Sequence, residues 1–492
     1  MNTPWTEKPP YPLQPGSSFW WLLGGTFFGV LFLLGMQLPR KWFAFLFLAV
    51  MGGIASLAVD NKKDYYLVLF SLVLPVWIGK HFYFTRAVYG ISTFGFPVHF
   101  SLIPLTALYV IWFIRSITRT EPAPVSTRGL IALAGVLIAA TVACMGSHDQ
   151  FFASFDLFAL ATSMLIFVYV SSDLRKLREV QLILVLLVFS GGFQGMIAVA
   201  QYLTGSTLGL EYFGTGKTLY GYAGLEAVSR VSGLVGHPNH LAMFIGLVLP
   251  LSVSLLFTPM SGRTRFFLIV AVFFEVAGLG VTFSRGGIIG SGLGITAVVI
   301  FHLSRRMGLT RALFMTFASA LLLAVFLVVV PNPIYKGLTR TEETAYGRWP
   351  LAKIAATMIS HHPLFGIGLN NFTHASRQYD FTPEQISAAW NSPVHNLFLF
   401  IAGEIGLVGL TCFLIFILRV VTALTPALRS LDPFILSVGT GLIFSLMAFF
   451  IHAQVDYSIW TQNRPFWLLL GLSVSVGRFA KSAPLVASPG LP

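Results

Sequence analysis

The stretch SPVHNLFLFIAGEIGLVGL, Ser392–Leu410, opens on a proline turn and a histidine and then runs apolar to about residue 418. One carboxyl, Glu404, sits near its middle. Roughly 20 consecutive apolar residues are enough to cross a bilayer as a helix. A span of this kind must keep any ionisable group neutral, paired or beside water. Glu404 follows His395 by nine residues, which is about 13 Å along a helix. The stretch therefore reads as a membrane helix with an imidazole at its mouth and a carboxyl buried deeper.

The rest of the chain repeats this pattern. Candidate spans fall at 18–36, 42–59, 65–82, 98–115, 129–146, 152–171, 179–203, 233–257, 266–283, 286–303, 312–331, 394–418, 433–452 and 465–479. The pair flanking 83–97 admits a re-entrant reading, because YGISTFGFP is rich in turn residues. The expected fold is an all-α integral membrane bundle of 12–14 transmembrane helices. It divides into a cytoplasmic tail at 1–17, N-terminal helices at 18–203, a region at 204–478 with a large loop at 332–393, and a tail at 479–492. Composition agrees. Of 492 residues, 55% are hydrophobic and 10% charged, with mean hydropathy +0.79. A soluble domain carries about 25% charged residues. No soluble domain large enough to fold alone appears. Cys144 and Cys412 lie inside apolar spans and imply neither a disulfide nor a metal site. The polar, proline-rich N-terminus leads into a full-length span, so no cleaved signal peptide is read.

The formal charge of +13 reflects topology rather than nucleic acid. With the N-terminus inside, 18 of the 31 basic residues fall in cytoplasmic segments. Eight lie in short outer segments once the five in the long loop are set aside, since long loops count weakly. Both termini are then cytoplasmic, and ten of the eleven histidines face outward, all but His302.

Three outer-face residues can do chemistry. Arg285, in VTFSRGGIIG, sits in a tight turn between two spans, with glycines that allow close approach. Its plainer reading is a snorkelling arginine. Arg348 heads AYGRWPLAKIAATMISHHPLFGIGLNNF. There Pro350 suits a first helical turn, and Leu351, Ile354, Ala355 and Met358 follow helical spacing. A short amphipathic helix on the outer membrane surface is expected, and a lone arginine there reads most simply as solvated. His395 reads most simply as an interfacial histidine bonded to backbone. Glu275 and Glu404 are deep carboxyls, read first as structural hydrogen-bonding groups and second as a proton path. Several motifs are absent: Asp-x-Asp, HExxH, a completed zinc set around GHPNH or SHHP, and Gly-x-Ser-x-Gly.

Taken in order, SRGG, GRWPLAKIAATMISHHPLFGIGLNNF and VHNLFLFIAGEIGLVGL resemble the bacterial O-antigen ligase and polysaccharide polymerase family. SGLVGHPNHLAMF, with Arg230 just before it, resembles that family's asparagine-bearing span, and the similarity covers roughly 200–472. The resemblance implies a large periplasmic loop and transfer of an oligosaccharide from undecaprenyl pyrophosphate to a sugar hydroxyl. The acceptor is a lipid-linked repeat or lipid A-core. No metal or other cofactor is implied, and the partners are the glycan substrates and the bilayer rather than nucleic acid. It further implies His395, Arg285 and Arg348 as catalytic residues. Substrate contacts are implied for Arg230, Asn239, Asn396, Lys353 and His362. Nearby Arg285 and Arg348 would keep His395 neutral in the empty site. The weak similarity of HAQVDYSIWTQNRPFW, residues 452–467, leans toward a polymerase. The rival from another class is a transporter or flippase of lipid-linked glycan, which would show broken helices and midplane ionisable groups.

Overall fold

The computed structural model describes residues 40–83, 93–118, 125–213, 215, 230–329, 347–389, 392–457 and 460–482. The candidate span at 18–36 and loop residues 332–346 lie outside the described residues. Residues 1–62 form one compact unit and 63–492 another. Helix α1 (Arg40–Leu57) belongs to the first. The second contains α3 (Leu102–Ile117), α4 (Leu130–Met145), α5 (Gln150–Asp173), α6 (Leu177–Thr204), α7 (Pro238–Leu255), α8 (Gly262–Val281), α9 (Arg285–Met307) and α10 (Leu309–Val329). After the long loop come α12 (Leu397–Ala423), α13 (Pro433–His452) and α14 (Arg464–Ser482). Seven described helices are long and apolar enough to cross a membrane, so the chain is an all-α multi-pass membrane protein. Helix starts carry polar caps. Asp432 accepts from Phe434 and Ile435 N–H at 2.8 and 3.2 Å, and Asp149 accepts from Phe152 N–H at 3.0 Å.

The expected span at 65–82 is shorter than its apolar run. Helix α2 (Lys62–Val73) has only 12 residues. Strand β1 (Gly79–Phe82) then pairs antiparallel with β2 (Phe96–His99), with Gly79 opposite His99. An unbroken apolar run does not by itself separate helix from strand. Residues 84–92, most of the stretch that admits a re-entrant reading, lie outside the described residues. Lys63, at the start of α2, and Arg115, near the end of α3, both reach Asp173 at the end of α5. The hairpin instead packs Phe96 on Phe155 in the first turns of α5. The described parts of the segment thus begin and end at one end of the bundle and carry the strand pair at the other.

Asp173 anchors that first end. Its buried carboxylate accepts from Arg115 Nη2 at 2.6 Å and Tyr169 OH at 3.1 Å. Lys63 Nζ bridges Asp173 and Glu179 at 3.3 and 2.7 Å. Removing one partner from such a buried network costs about 3–5 kcal/mol, because the other charge is left uncompensated.

Helix α12 is interrupted. Gly406 has φ 72° and ψ 179°, which breaks the helical ladder inside the apolar span. The freed groups are taken up by the loop that precedes the helix. Ile367 and Gly368 N–H donate to the Gly403 and Glu404 carbonyls at 3.0 and 2.9 Å. Leu407 and Val408 N–H donate to the Pro363 and Leu364 carbonyls at 2.8 and 3.3 Å. Irregular backbone survives at membrane depth only when protein satisfies it in this way. A Cβ at position 406 would lie 2.1 Å from the Leu364 oxygen, so glycine is required for the approach as well as for φ. The same loop fixes Glu404, whose carboxyl faces the backbone N–H groups of Asn370 and Phe372. Glu275 is held separately, by Ser252 Oγ at 3.0 Å. HPLFGIGLNNF is therefore a piece of the fold.

The amphipathic helix forms as α11 (Arg348–His361). Leu351, Ile354, Ala355 and Met358 are fully buried, but against protein rather than lipid, since α11 packs on α12. Each large apolar side chain buried this way contributes about 1.5–3 kcal/mol. This contact sets where Arg348 stands.

Candidate active site

Alternation along the chain brings the start of α7, the α8–α9 turn, the start of α12 and the end of α13 to one end of the bundle. Asp456, just past α13, is buried there. Asn239 Nδ2 donates to Asp456 Oδ2 at 3.0 Å, and Asn239 Oδ1 accepts from Arg230 Nη2 at 2.7 Å. Arg230 Nε donates to the Thr282 carbonyl at 2.8 Å. These bonds tie residue 230, the first turn of α7, the end of α8 and residue 456 into one frame.

Arg285 opens α9 beside this frame. Phe283, at φ 53°, turns the chain between α8 and α9. Ser284 Oγ then lies 3.3 Å from His452 Nε2. A Cβ at Gly286 would fall 2.7 Å from His452 Cδ2 and 2.5 Å from Val455 Cγ2. The glycine after Arg285 is thus what lets the turn close onto His452. Nε and Nη2 of Arg285 are buried and hydrogen-bond to no described residue.

His395 stands two residues before α12, and its ring packs edge-on against Tyr457 at 5.8 Å. Its position is fixed from both sides of the neighbouring cap. Asn396 Oδ1 accepts from Phe398 and Leu399 N–H at 3.0 Å, and Leu397 N–H donates to the Ala453 carbonyl at 2.9 Å. Nδ1 of His395 is buried and has no hydrogen-bond partner among the described residues. Burial holds the imidazole below its ordinary pKa; Asp456 pulls upward, Arg348 reinforces the drop, and the Pro393 backbone pulls upward, as expected of a histidine facing backbone. Arg285 is not among the groups that shift it. Arg348 Nε is likewise buried and unbonded among the described residues.

Arg285, Arg348 and His395 therefore converge on the same end of the bundle around His452. The turn at Arg285 touches that ring, and Arg348 acts electrostatically on both His452 and His395. Arg230 and Asn239 join the cluster with their side chains committed to the frame. Asn396 is committed too, as the α12 cap and as donor to the Gln454 carbonyl and Oε1 at 3.2 Å. Lys353 and His362 are exposed and bond elsewhere. Lys353 Nζ lies 6.0 Å over Trp349, and His362 Nε2 is 2.7 Å from the Tyr379 hydroxyl.

Sequence reasoning did not single out Asp456, His452 or His237. Asp456 is the common carboxylate neighbour of His237, His240, His395 and His452. His237 is lowered well below its ordinary value, by burial first and His240 next, against the pull of Asp456. The signal was present in GHPNH and HAQVD, polar islands at the ends of apolar spans. No completed metal set forms around them among the described residues.

The stretch from α8 to α12 thus supplies both guanidinium groups with unbonded N–H and the imidazole. Residues 266–414 match the O-antigen ligase family model. The matched O-antigen ligase segment contains Arg285, Arg348, His395, the loop and the Gly406 break. Arg230, Asn239, His452 and Asp456 reach the site from outside it. The match makes this segment similar to the O-antigen ligase family, and the apolar helices around it make the chain a multi-pass membrane protein. No curated protein matches the chain.

Proposed function

We propose that the chain transfers an oligosaccharide from undecaprenyl pyrophosphate to a sugar hydroxyl at the periplasmic face, with both termini in the cytoplasm. The observation that carries this reading is the pairing of buried guanidinium N–H groups on Arg285 and Arg348, unbonded among the described residues, with a neutral-leaning His395. Buried donors without partners are costly, and an anion that fills them is stabilised. A lipid pyrophosphate brings such an anion to the end of a membrane bundle.

In the reaction the acceptor oxygen attacks the anomeric carbon, and the bond from that carbon to the pyrophosphate oxygen breaks. The electron pair leaves with undecaprenyl pyrophosphate, where the two guanidinium groups hold the growing charge. The hydroxyl proton passes to His395, which burial keeps in its basic form near neutral pH. Arg230, Asn239 and Asp456 position the turn and the α13 end. With two fixed cations on the leaving group, the step is metal-independent. Between acceptors, the similarity of residues 452–467 favours a second lipid-linked repeat, hence a polymerase, over lipid A-core.

The broken α12 is the one observation that favours a transporter of lipid-linked glycan. Its freed backbone groups, however, are bonded to the chain's own loop rather than open to cargo. The test is a purified assay with a defined lipid-pyrophosphate oligosaccharide and either a lipid-linked repeat or lipid A-core as acceptor. Product on the lipid-linked repeat supports a polymerase, and product on lipid A-core a ligase. Translocation across a vesicle without a new glycosidic bond would overturn the enzyme reading.

A further inference from the structure

At the end of the bundle opposite His395, a cavity of about 310 Å³ opens between the segment leading into α4 and the last turns of α12 and α14. Its lining includes Ser126, Thr127, Arg128, Ala423, Arg478 and Lys481, with three cations and no acidic residue. Arg478 is held in place, donating to the Ser171 and Leu174 carbonyls at 2.8 and 2.5 Å. Ser126 is held by Ser172 Oγ, which accepts from its N–H at 3.0 Å. Arg128 and Lys481 are exposed at the rim. No side chain caps the first turn of α4, so its N–H groups also point toward this end.

Asp173 and Glu179 act on Arg478 from behind, but the lining of the cavity itself holds no acidic residue, and Arg128 and Lys481 stand at its rim. Its flanks are apolar: Ile131 on α4 is 88% exposed and Leu418 on α12 61% exposed. A ligand that fits must be anionic at its head and greasy beside it.

We propose that this cavity binds the phosphate headgroup of an anionic membrane lipid. A basic recess at the end of a helical bundle attracts such headgroups by charge, and guanidinium and hydroxyl donors hold phosphate oxygens directly. The site is separate from the proposed transfer chemistry and does not depend on it.

Native mass spectrometry of the full-length protein, given equal phosphatidylglycerol and phosphatidylethanolamine, tests this. The wild type should retain phosphatidylglycerol preferentially. The preference should fall about fivefold for each cation removed in Arg128→Ala and Lys481→Ala, and further in the double variant. Arg305→Ala/Arg306→Ala, which removes two cations from the same end outside the cavity, should retain the lipid as wild type does. Equal retention of both lipids by the wild type would overturn the proposal, as would equal losses in the control variant or no loss in the cavity variants. Excess inorganic phosphate should leave retention unchanged. Displacement by it would assign the cavity to a free phosphate and overturn the lipid assignment.

Discussion

Asn239 donates to Asp456 at 3.0 Å across 217 residues of chain, and the same amide accepts from Arg230 at 2.7 Å. One side chain thereby fixes both the acid that four histidines share and the arginine that holds the end of α8. The reacting groups proposed above each keep a buried nitrogen with no partner among the described residues, as does His452 Nδ1 beside them.

The acid limb of the pH profile should report His395. A base works only when deprotonated, and burial has lowered its pKa, so kcat/KM should fall with acid below the ordinary histidine value of about 6.5. Asp456 pulls that pKa upward. Asp456→Asn keeps an oxygen for Asn239 and removes the charge, so the limb should move to lower pH. A shift to higher pH in initial-rate measurements contradicts the assignment.

Arg348→Lys should lose roughly tenfold or more in kcat/KM, because a point charge does not replace a planar fork on phosphate oxygens. Wild-type rates in this variant would mark Arg348 as a solvated charge.

Glu404→Gln should transfer glycan at close to the wild-type rate. The amide oxygen still accepts from the Asn370 and Phe372 N–H groups that face the carboxyl. Glu404→Leu removes that acceptor and should lower the thermal midpoint. Loss of activity in Glu404→Gln with an unchanged midpoint would instead place the carboxyl on a proton path.

Gly406→Ala should destabilise the protein. Its φ of 72° with ψ of 179° costs a non-glycine residue about 1–3 kcal/mol, before the clash with the Leu364 carbonyl. An unchanged melting midpoint would show that the break is not needed.

Much of this architecture is legible in the sequence because hydrocarbon leaves the chain few choices. Apolar runs became helices, and Pro350 with the Leu351–Met358 spacing gave α11. What periodicity does not carry is the partner. The face of α11 reads the same whether it meets lipid or α12. The run at 65–82 is apolar throughout, so nothing local marks where α2 gives way to β1. A glycine inside EIGLVGL looks tolerable in a helix until the loop at 363–368 is seen bonding to the break. Asp456 and His452 lie in a stretch similar to the family but beyond the ordered motifs that end at Leu410, so neither was singled out for the site. Burial as the main cause of the His395 shift was equally invisible, since it depends on what covers the ring.

The most direct test uses purified wild type and the Arg285→Ala, Arg348→Ala and His395→Ala variants in liposomes with EDTA. It measures transfer of a labelled oligosaccharide from lipid pyrophosphate to a sugar acceptor. The wild type should transfer without added metal, and each variant should insert normally yet lose about 10²–10³-fold in rate. Transfer by the variants at the wild-type rate, or wild-type transfer that returns only with magnesium or zinc, would contradict the account.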